Sequence, residues 1–133
     1  VDSGKIGIVG HCWGGRVSWL GACSNAEYKA CAVFYGGGIK EVRGEGNPPA
    51  IEMASKIPCP VIGFFGNTDQ NPSPEDVDDL DAALTKAGIE HTFHRYDGAG
   101  HAFQWADNPD RYHAEASDDA WDKVLAFFEA KLK

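Results

Sequence analysis

The chain has 133 residues, of which 43% are hydrophobic, and its formal net charge at pH 7 is −8. This length and composition are typical of one soluble domain, residues 1–133, and no apolar run approaches the roughly 20 residues that span a bilayer. Because an acidic protein is repelled by nucleic acids and by anionic membrane surfaces, we expect neither as a partner and place the chain in the cytoplasm.

The first half of the chain contains two predicted strands and a helix. Residues 5–9 form a short apolar run that predicts a buried strand, and the nearly apolar segment 13–23 predicts a buried helix. Residues 30–35 predict a second strand. The polar, glycine- and proline-rich stretch 39–49 is typical of a surface loop, and some helix is expected at 50–55.

The second half continues the alternation of strands and helices. Residues 60–66 predict a third buried strand, and the Ser-Pro pair at 73–74 predicts the start of a helix that ends at Gly88. Residues 90–96 predict a fourth strand, and the chain is expected to be helical from about Arg111 to its end. The apolar stripe of this last helix is expected to contain Trp121, Val124, Leu125, Phe128 and Leu132. The expected fold is α/β, with about four mostly parallel strands and flanking helices.

A candidate nucleophile lies between the first strand and the first helix. Residues 10–14 read Gly-His-Cys-Trp-Gly, which is the spacing of a nucleophile elbow, a sharp turn from a strand into a helix. The elbow would place the sulfur of Cys12 at a helix N-terminus, where free N–H groups and the helix dipole favour a thiolate. The remaining cysteines are packing candidates: Cys23, Cys31 and Cys59. No Cys-x-x-Cys pair is present, so the cysteines indicate neither a zinc ribbon nor a redox dithiol, and we expect no metal or cofactor.

A base and an orienting acid follow two other strands. Asp69 comes three residues after the third strand, and His101 comes just after the fourth. Because the carboxyl ends of parallel strands meet at one edge of a sheet, these residues and Cys12 are expected to lie together. The order nucleophile, acid, histidine is that of the α/β-hydrolase fold. Asp97 is the alternative orienting acid.

The other histidines are weaker candidates. His91 and His94 are three residues apart on a predicted strand, so their side chains would face opposite ways and could not readily share a metal. His11 is a turn residue beside the nucleophile, and His113 lies in the first turn of the last predicted helix.

These motifs resemble the dienelactone hydrolase family, whose members are also called carboxymethylenebutenolidases. The likeness rests on Gly-x-Cys-x-Gly-Gly at 10–15, Asp69 after an apolar strand, Gly-His-Ala-Phe at 100–103 and a final helix rich in Trp and Phe. It covers the whole chain but only the C-terminal part of the family's domain, since several strands precede the elbow in complete members. The resemblance implies a partial α/β-hydrolase fold and a Cys-His-Asp hydrolase that cleaves small esters or lactones through a thioester.

The resemblance also implies parts that this chain does not contain. In the family an upstream loop supplies one oxyanion N–H, so the backbone N–H of Trp13 is the donor expected here. An upstream arginine of the family holds a substrate carboxylate, and a second arginine stands where this chain has Trp105. We therefore expect a small neutral or aryl ester that contacts Phe103 and Trp105, with Arg16 as the candidate contact for an anion.

Two other functions stay open at this point, and a quaternary structure is expected. The chain could be a non-catalytic or weakly active module that keeps the motif, or a redox-sensing thiol built on the same cysteine. In the resembled fold the strand at 5–9 is central, whereas here it would be a bare edge with apolar surface around Trp19 and Leu20 exposed. Unpaired edges invite pairing, so we expect a homodimer through this strand.

Overall fold

A computed structural model describes residues 1–133 and shows a single sheet of four parallel strands. The strands are β1 (Ile6–His11), β2 (Tyr28–Phe34), β3 (Val61–Gly66) and β4 (His91–Tyr96). Each strand pairs in parallel with the next one in the chain, which gives the order β1-β2-β3-β4. The α/β fold predicted from the sequence is therefore confirmed, and the carboxyl ends of all four strands lie at one edge.

Three α-helices and one 3₁₀ helix flank the strands: α1 (Trp13–Ser24), α2 (Pro74–Lys86), α3 (Ala114–Lys131) and the 3₁₀ helix Ala50–Lys56. Helix α2 begins with a capping box, in which Ser73 Oγ accepts from the Asp76 N–H and Asp76 Oδ2 accepts from the Ser73 N–H. Gly88 follows α2 with φ 70°, the left-handed conformation that ends many helices. No helix combines the length and hydropathy needed to cross a bilayer.

The helices cover the two faces of the sheet unequally. Strand residues alternate between the faces, so Cys31 and Val33 pack toward α1 and α2 while Ala32 and Phe34 pack toward α3. The 3₁₀ segment packs on α1 and α2 and adds to the first of these two cores. The result is a three-layer α/β/α arrangement in which β1 is an edge strand, hydrogen-bonded to β2 alone.

Two details of the apolar surface differ from the sequence-based expectation. Trp19 is buried rather than exposed, because the 3₁₀ helix packs over it and its indole N–H donates to the carbonyl of Ala50 at 2.8 Å. Helix α1 is not buried on every side either, since Val17 is exposed.

The inner face of α3 is also displaced from its predicted stripe. Ala116, Ala120 and Val124 are buried against the sheet, whereas Trp121 is 44% and Leu125 61% exposed. The small alanines bring the helix close to the sheet, and the larger predicted residues lie to the side of that contact, near the β1 edge. The helix also begins at Ala114 rather than about Arg111, because His113 is its N-cap.

Candidate active site

Cys12 lies in the turn between β1 and α1, in a backbone conformation that is rare for a residue with a side chain. Its φ is 58° and its ψ −120°, and such strain costs about 1–3 kcal/mol. Missing side chains permit the tight turn: a Cβ on Gly10 would lie 1.9 Å from the carbonyl oxygen of Gly14, and one on Gly15 would lie 2.5 Å from that of Phe34. Strand and helix thus meet backbone to backbone, which leaves the Cys12 side chain exposed.

The structure brings together the three residues that the sequence singled out. The sulfur of Cys12 lies 3.0 Å from Nε2 of His101, and Nδ1 of His101 lies 2.8 Å from Oδ2 of Asp69. A buried carboxylate can only accept here, so Nδ1 carries a proton and donates it, and Nε2 is directed at the sulfur. The result is one continuous line of polar contacts from sulfur to carboxylate.

Contacts between two loops bring Asp69 to the histidine. The N–H and the hydroxyl of Thr68 both donate to the carbonyl of Ala99, at 3.0 and 2.9 Å. A Cβ on Gly66 would lie only 2.3 Å from the same carbonyl oxygen, so the loops after β3 and β4 touch backbone to backbone. The second oxygen of Asp69 accepts from the N–H of Asn71 at 2.9 Å, which fixes the carboxylate from behind.

The environment of His101 favours its charged form. The hydrogen bond that His101 donates to Asp69 raises the pKa of His101 to about 9, against the opposing effect of burial, and the contact with Cys12 adds to the rise. The imidazolium therefore predominates at neutral pH. A cation beside a sulfur at the start of a helix is the environment that stabilises reactive cysteine thiolates.

The alternative acid and the other histidines lie away from this line. Asp97 accepts a hydrogen bond from the side chain of Asn67 at 2.7 Å and makes no contact with His101. His91 bonds to Asp81 of α2, whereas His94 stacks on a β3 phenylalanine on the side of the sheet that faces α3. The two β4 histidines thus face opposite ways, as predicted.

Cys12 opens into a cleft of about 630 Å³ whose lining is mostly polar. Besides Cys12, Asp69 and His101, the lining includes Trp13, Arg43, Arg111, Tyr112 and His113. The loop after β2 and the segment before α3 supply most of these side chains. Two arginines, Arg43 and Arg111, therefore line the cleft into which Cys12 opens.

Three predicted substrate contacts do not line this cleft, and the sequence-based assignment of these residues is corrected. Phe103 is completely buried and packs in the core between the sheet and α3. Trp105 is 51% exposed but lies outside the cleft lining. Arg16 is buried beneath the loop after β2, where its guanidinium donates to the carbonyl of Gly38 and burial lowers its pKa. Its role here is to hold that loop.

The sequence did not identify the two arginines that do line the cleft. Arg43 belongs to the segment predicted only as a surface loop, and its guanidinium lies 4.7 Å from the centre of the Trp13 ring and pairs with Glu41. Arg111 was assigned to a helix that in fact begins three residues later, and it pairs with no carboxylate of the chain.

Comparison with known proteins agrees with the fold and with the motifs. The sequence model of the dienelactone hydrolase family matches residues 1–132. A Synechocystis protein named "Putative carboxymethylenebutenolidase" is 40% identical over 130 residues, which are 97% of this chain and 52% of that protein. An Escherichia coli K12 protein of the same name is 34% identical over 130 residues, with 96% and 47% covered.

A solved structure has a similar fold. The crystal structure described as a "Putative Dienelactone Hydrolase" from Klebsiella pneumoniae superimposes with a TM-score of 0.88 at 33% identity, over 96% of this chain and 53% of that one. The chain spans about half the length of the curated relatives it matches. The chain belongs to the dienelactone hydrolase family.

Proposed function

We propose that the chain carries a hydrolase site for small carboxylic esters or lactones, with Cys12 as the nucleophile. The observation that carries this proposal is the line of contacts from the Cys12 sulfur through His101 to Asp69, at 3.0 and 2.8 Å, inside an open cleft. Such a line is the arrangement that activates a nucleophile in covalent catalysis. A redox-sensing thiol is less well supported, because the other cysteines are buried and none lines the cleft.

In the proposed acylation step, the thiolate of Cys12 attacks the carbonyl carbon of the substrate. A carbon–sulfur bond forms, and one electron pair of the carbonyl moves onto its oxygen. When this intermediate collapses, the bond to the alcohol oxygen breaks and that oxygen takes the proton from Nε2 of His101. The products are a thioester on Cys12 and an alcohol, which stays tethered to the acyl group if the substrate is a lactone.

The deacylation step regenerates the site. His101, now neutral, takes a proton from water as the water oxygen attacks the thioester carbonyl. The carbon–sulfur bond then breaks, its electron pair returns to sulfur as the thiolate, and the carboxylic acid leaves. Asp69 accepts from Nδ1 throughout, which holds the ring in place and stabilises its charged form.

The oxyanion formed in both steps needs hydrogen-bond donors. The N–H of Trp13 is the proposed donor, because it is the first of α1 and has no partner within the helix. The N–H groups of Gly15 and Arg16 already donate to the carbonyl of Cys12, at 2.9 and 3.3 Å. One oxyanion donor is typically worth about a hundredfold to a thousandfold in rate.

The residues that line the cleft favour a different substrate charge from the one expected from the sequence. Neither aromatic residue expected to contact a neutral aryl ester, Phe103 or Trp105, lines the cleft, whereas Trp13 and Tyr112 do. Two arginines, Arg43 and Arg111, line the cleft as well. Since guanidinium groups bind carboxylates in a matching planar geometry, we propose an ester or lactone that bears a negative charge.

The charge preference predicts a selective effect on binding. Replacing Arg111 by Gln should raise KM about tenfold for an aryl ester of a dicarboxylic acid, the loss expected for one charge-assisted hydrogen bond. KM for the uncharged ester of equal length should stay within about twofold. Arg95→Gln is the matched control, because Arg95 pairs with Asp78 and is absent from the cleft lining. Equal rises in KM for both esters would contradict the proposal.

The proposed hydrolase activity is tested by detecting the acyl-enzyme. Mixing the chain with p-nitrophenyl acetate in a stopped-flow instrument should give a burst of nitrophenol close to one equivalent. Intact mass after an acid quench should show one added acetyl group, and peptide mapping should place it on Cys12. A folded sample with neither burst nor acyl group would favour the non-catalytic module.

We also propose that the chain by itself associates through β1 into a homodimer. The outer backbone groups of β1 have no partner in the sheet, and Val9 on this strand is exposed. Further exposed apolar side chains lie on the helices next to it: Val17, Trp121 and Leu125. A two-fold axis beside β1 would join two four-stranded sheets, antiparallel at the seam, and would cover these side chains.

Sedimentation tests the association with one substitution. We expect twice the mass of the chain at micromolar concentration, and a monomer after Val9→Lys, because a lysine on an edge strand opposes pairing. Val42→Lys is the matched control, since Val42 is also solvent-exposed but lies in the loop after β2. A monomeric wild-type chain would refute the proposal.

A further inference from the structure

Tyr35 occupies a strained position beside the candidate site. It follows the last residue of β2, its φ is 38°, and its side chain is buried. The left-handed region favours glycine, and the next three residues of the chain are glycines. A glycine at this position would remove the strain, so the backbone alone does not explain a tyrosine here. Strain of this kind points to a role for the side chain.

The ring of Tyr35 packs directly against His101. The two ring centres are 5.4 Å apart with an interplanar angle of 63°, an edge-to-face contact. The same tyrosine ring lies 5.1 Å from that of Phe103, two residues further along the histidine loop. The N–H of Tyr35 donates to the carbonyl of Phe64 at 2.8 Å, which ties its backbone to β3. The Tyr35 ring thus packs against the loop that carries His101.

The two polar contacts of His101 leave one motion unrestrained. Both pass through ring nitrogens, Nδ1 to Asp69 and Nε2 to Cys12, so the ring can still rock about the line that joins those partners. The Tyr35 ring, packed against one side of the imidazole, opposes this motion. We propose that Tyr35 is a positioning residue for His101, whose aromatic ring keeps Nε2 directed at the Cys12 sulfur; this inference rests on the proposed function of the three site residues.

The hydroxyl of Tyr35 is not expected to transfer a proton. Burial raises the pKa of Tyr35 to about 12, and the negative charge of Cys12 adds to the rise. The phenol therefore stays neutral throughout the working range. What the ring supplies is its shape.

Three variants separate the ring from the hydroxyl and from general packing. Tyr35→Phe keeps the ring, and Tyr35→Leu removes it while retaining a side chain at the strained φ. Tyr96→Leu is the matched control, because the Tyr96 ring also packs on that of Phe103, at 5.3 Å, but makes no ring contact with His101. The readout is the rate at which iodoacetamide alkylates Cys12, followed by mass spectrometry across pH, which needs no ester turnover.

We expect Tyr35→Phe and Tyr96→Leu to match the wild-type chain within about twofold at pH 7. Tyr35→Leu should be alkylated about tenfold more slowly there, because the imidazolium is no longer held beside the sulfur. With an ester substrate its kcat should fall while KM is unchanged. A Tyr35→Leu profile that superimposes on wild type, or an equal slowing in Tyr96→Leu, would overturn the inference.

A measurement on the wild-type chain keeps the inference testable if Tyr35→Leu does not fold. Nuclear Overhauser contacts between the Tyr35 ring protons and Hδ2 of His101 should be present and should persist through the titration of the histidine. Their absence would refute the packing role. A wild-type chain that reacts with iodoacetamide at Cys12 yet forms no acyl-enzyme would refute the proposed hydrolase while leaving the test of Tyr35 intact.

Discussion

Cys12→Ala is expected to lower ester turnover by at least about a thousandfold, since removal of the nucleophile eliminates the covalent route and leaves only binding and oxyanion contacts. The burst of product should disappear together with the steady-state rate. Alanine fits the turn as well as cysteine does, because both carry a Cβ at the same positive φ. The loss should therefore come without a change in the circular dichroism spectrum.

The three other cysteines supply the controls for this variant. Cys23, Cys31 and Cys59 are all buried, and burial raises the pKa of each thiol, that of Cys59 to about 11 and that of Cys23 to about 12. Neutral thiols in the core are poor nucleophiles, so their alanine variants should keep most of the activity. Turnover that survives Cys12→Ala would show that the activity has another origin, such as a contaminant.

The line from Cys12 to Asp69 could be anticipated because it depends on rules that act at short range. An elbow needs glycines where backbones touch, and Gly10 and Gly15 are the positions where a Cβ would collide. The loops after β3 and β4 share an edge of a parallel sheet, so Asp69 and His101 had few other places to lie. The order of strands and helices could be predicted because the periodicity of apolar residues is also a short-range pattern.

The lining of the cleft could not be anticipated, because it depends on how loops fold back over the sheet. Phe103 follows His101 closely, yet the chain turns inward there and buries its ring under α3. Arg43 reaches the site from a loop that begins far away in sequence, and its position depends on a contact with Trp13. Trp19 shows the same limit, since only the long connection after β2 decides that it is covered.

The acid of the site has a large expected effect of its own. Asp69→Asn should reduce kcat/KM at pH 7 by about a hundredfold to ten-thousandfold, as loss of the orienting carboxylate does in serine-nucleophile triads. An asparagine amide can donate to Nδ1 of His101, which would leave the only ring proton on Nε2 and stabilise the wrong tautomer. Without the carboxylate, the imidazolium also loses the hydrogen bond that contributes most to its raised pKa.

The pH profile separates this explanation from a merely structural one. In the wild-type chain the protonated form of His101 delivers the proton to the leaving alcohol, so kcat/KM should fall as pH rises through about 9, the pKa of that group. The hydrogen bond to Asp69 is the largest contribution to that raised pKa, so the alkaline limb should move to lower pH in Asp69→Asn. Asp97→Asn is the matched control, because Asp97 bonds to Asn67 and does not contact the histidine. If Asp97→Asn moves the alkaline limb and Asp69→Asn does not, the orienting acid is Asp97 and the assignment of Asp69 is wrong.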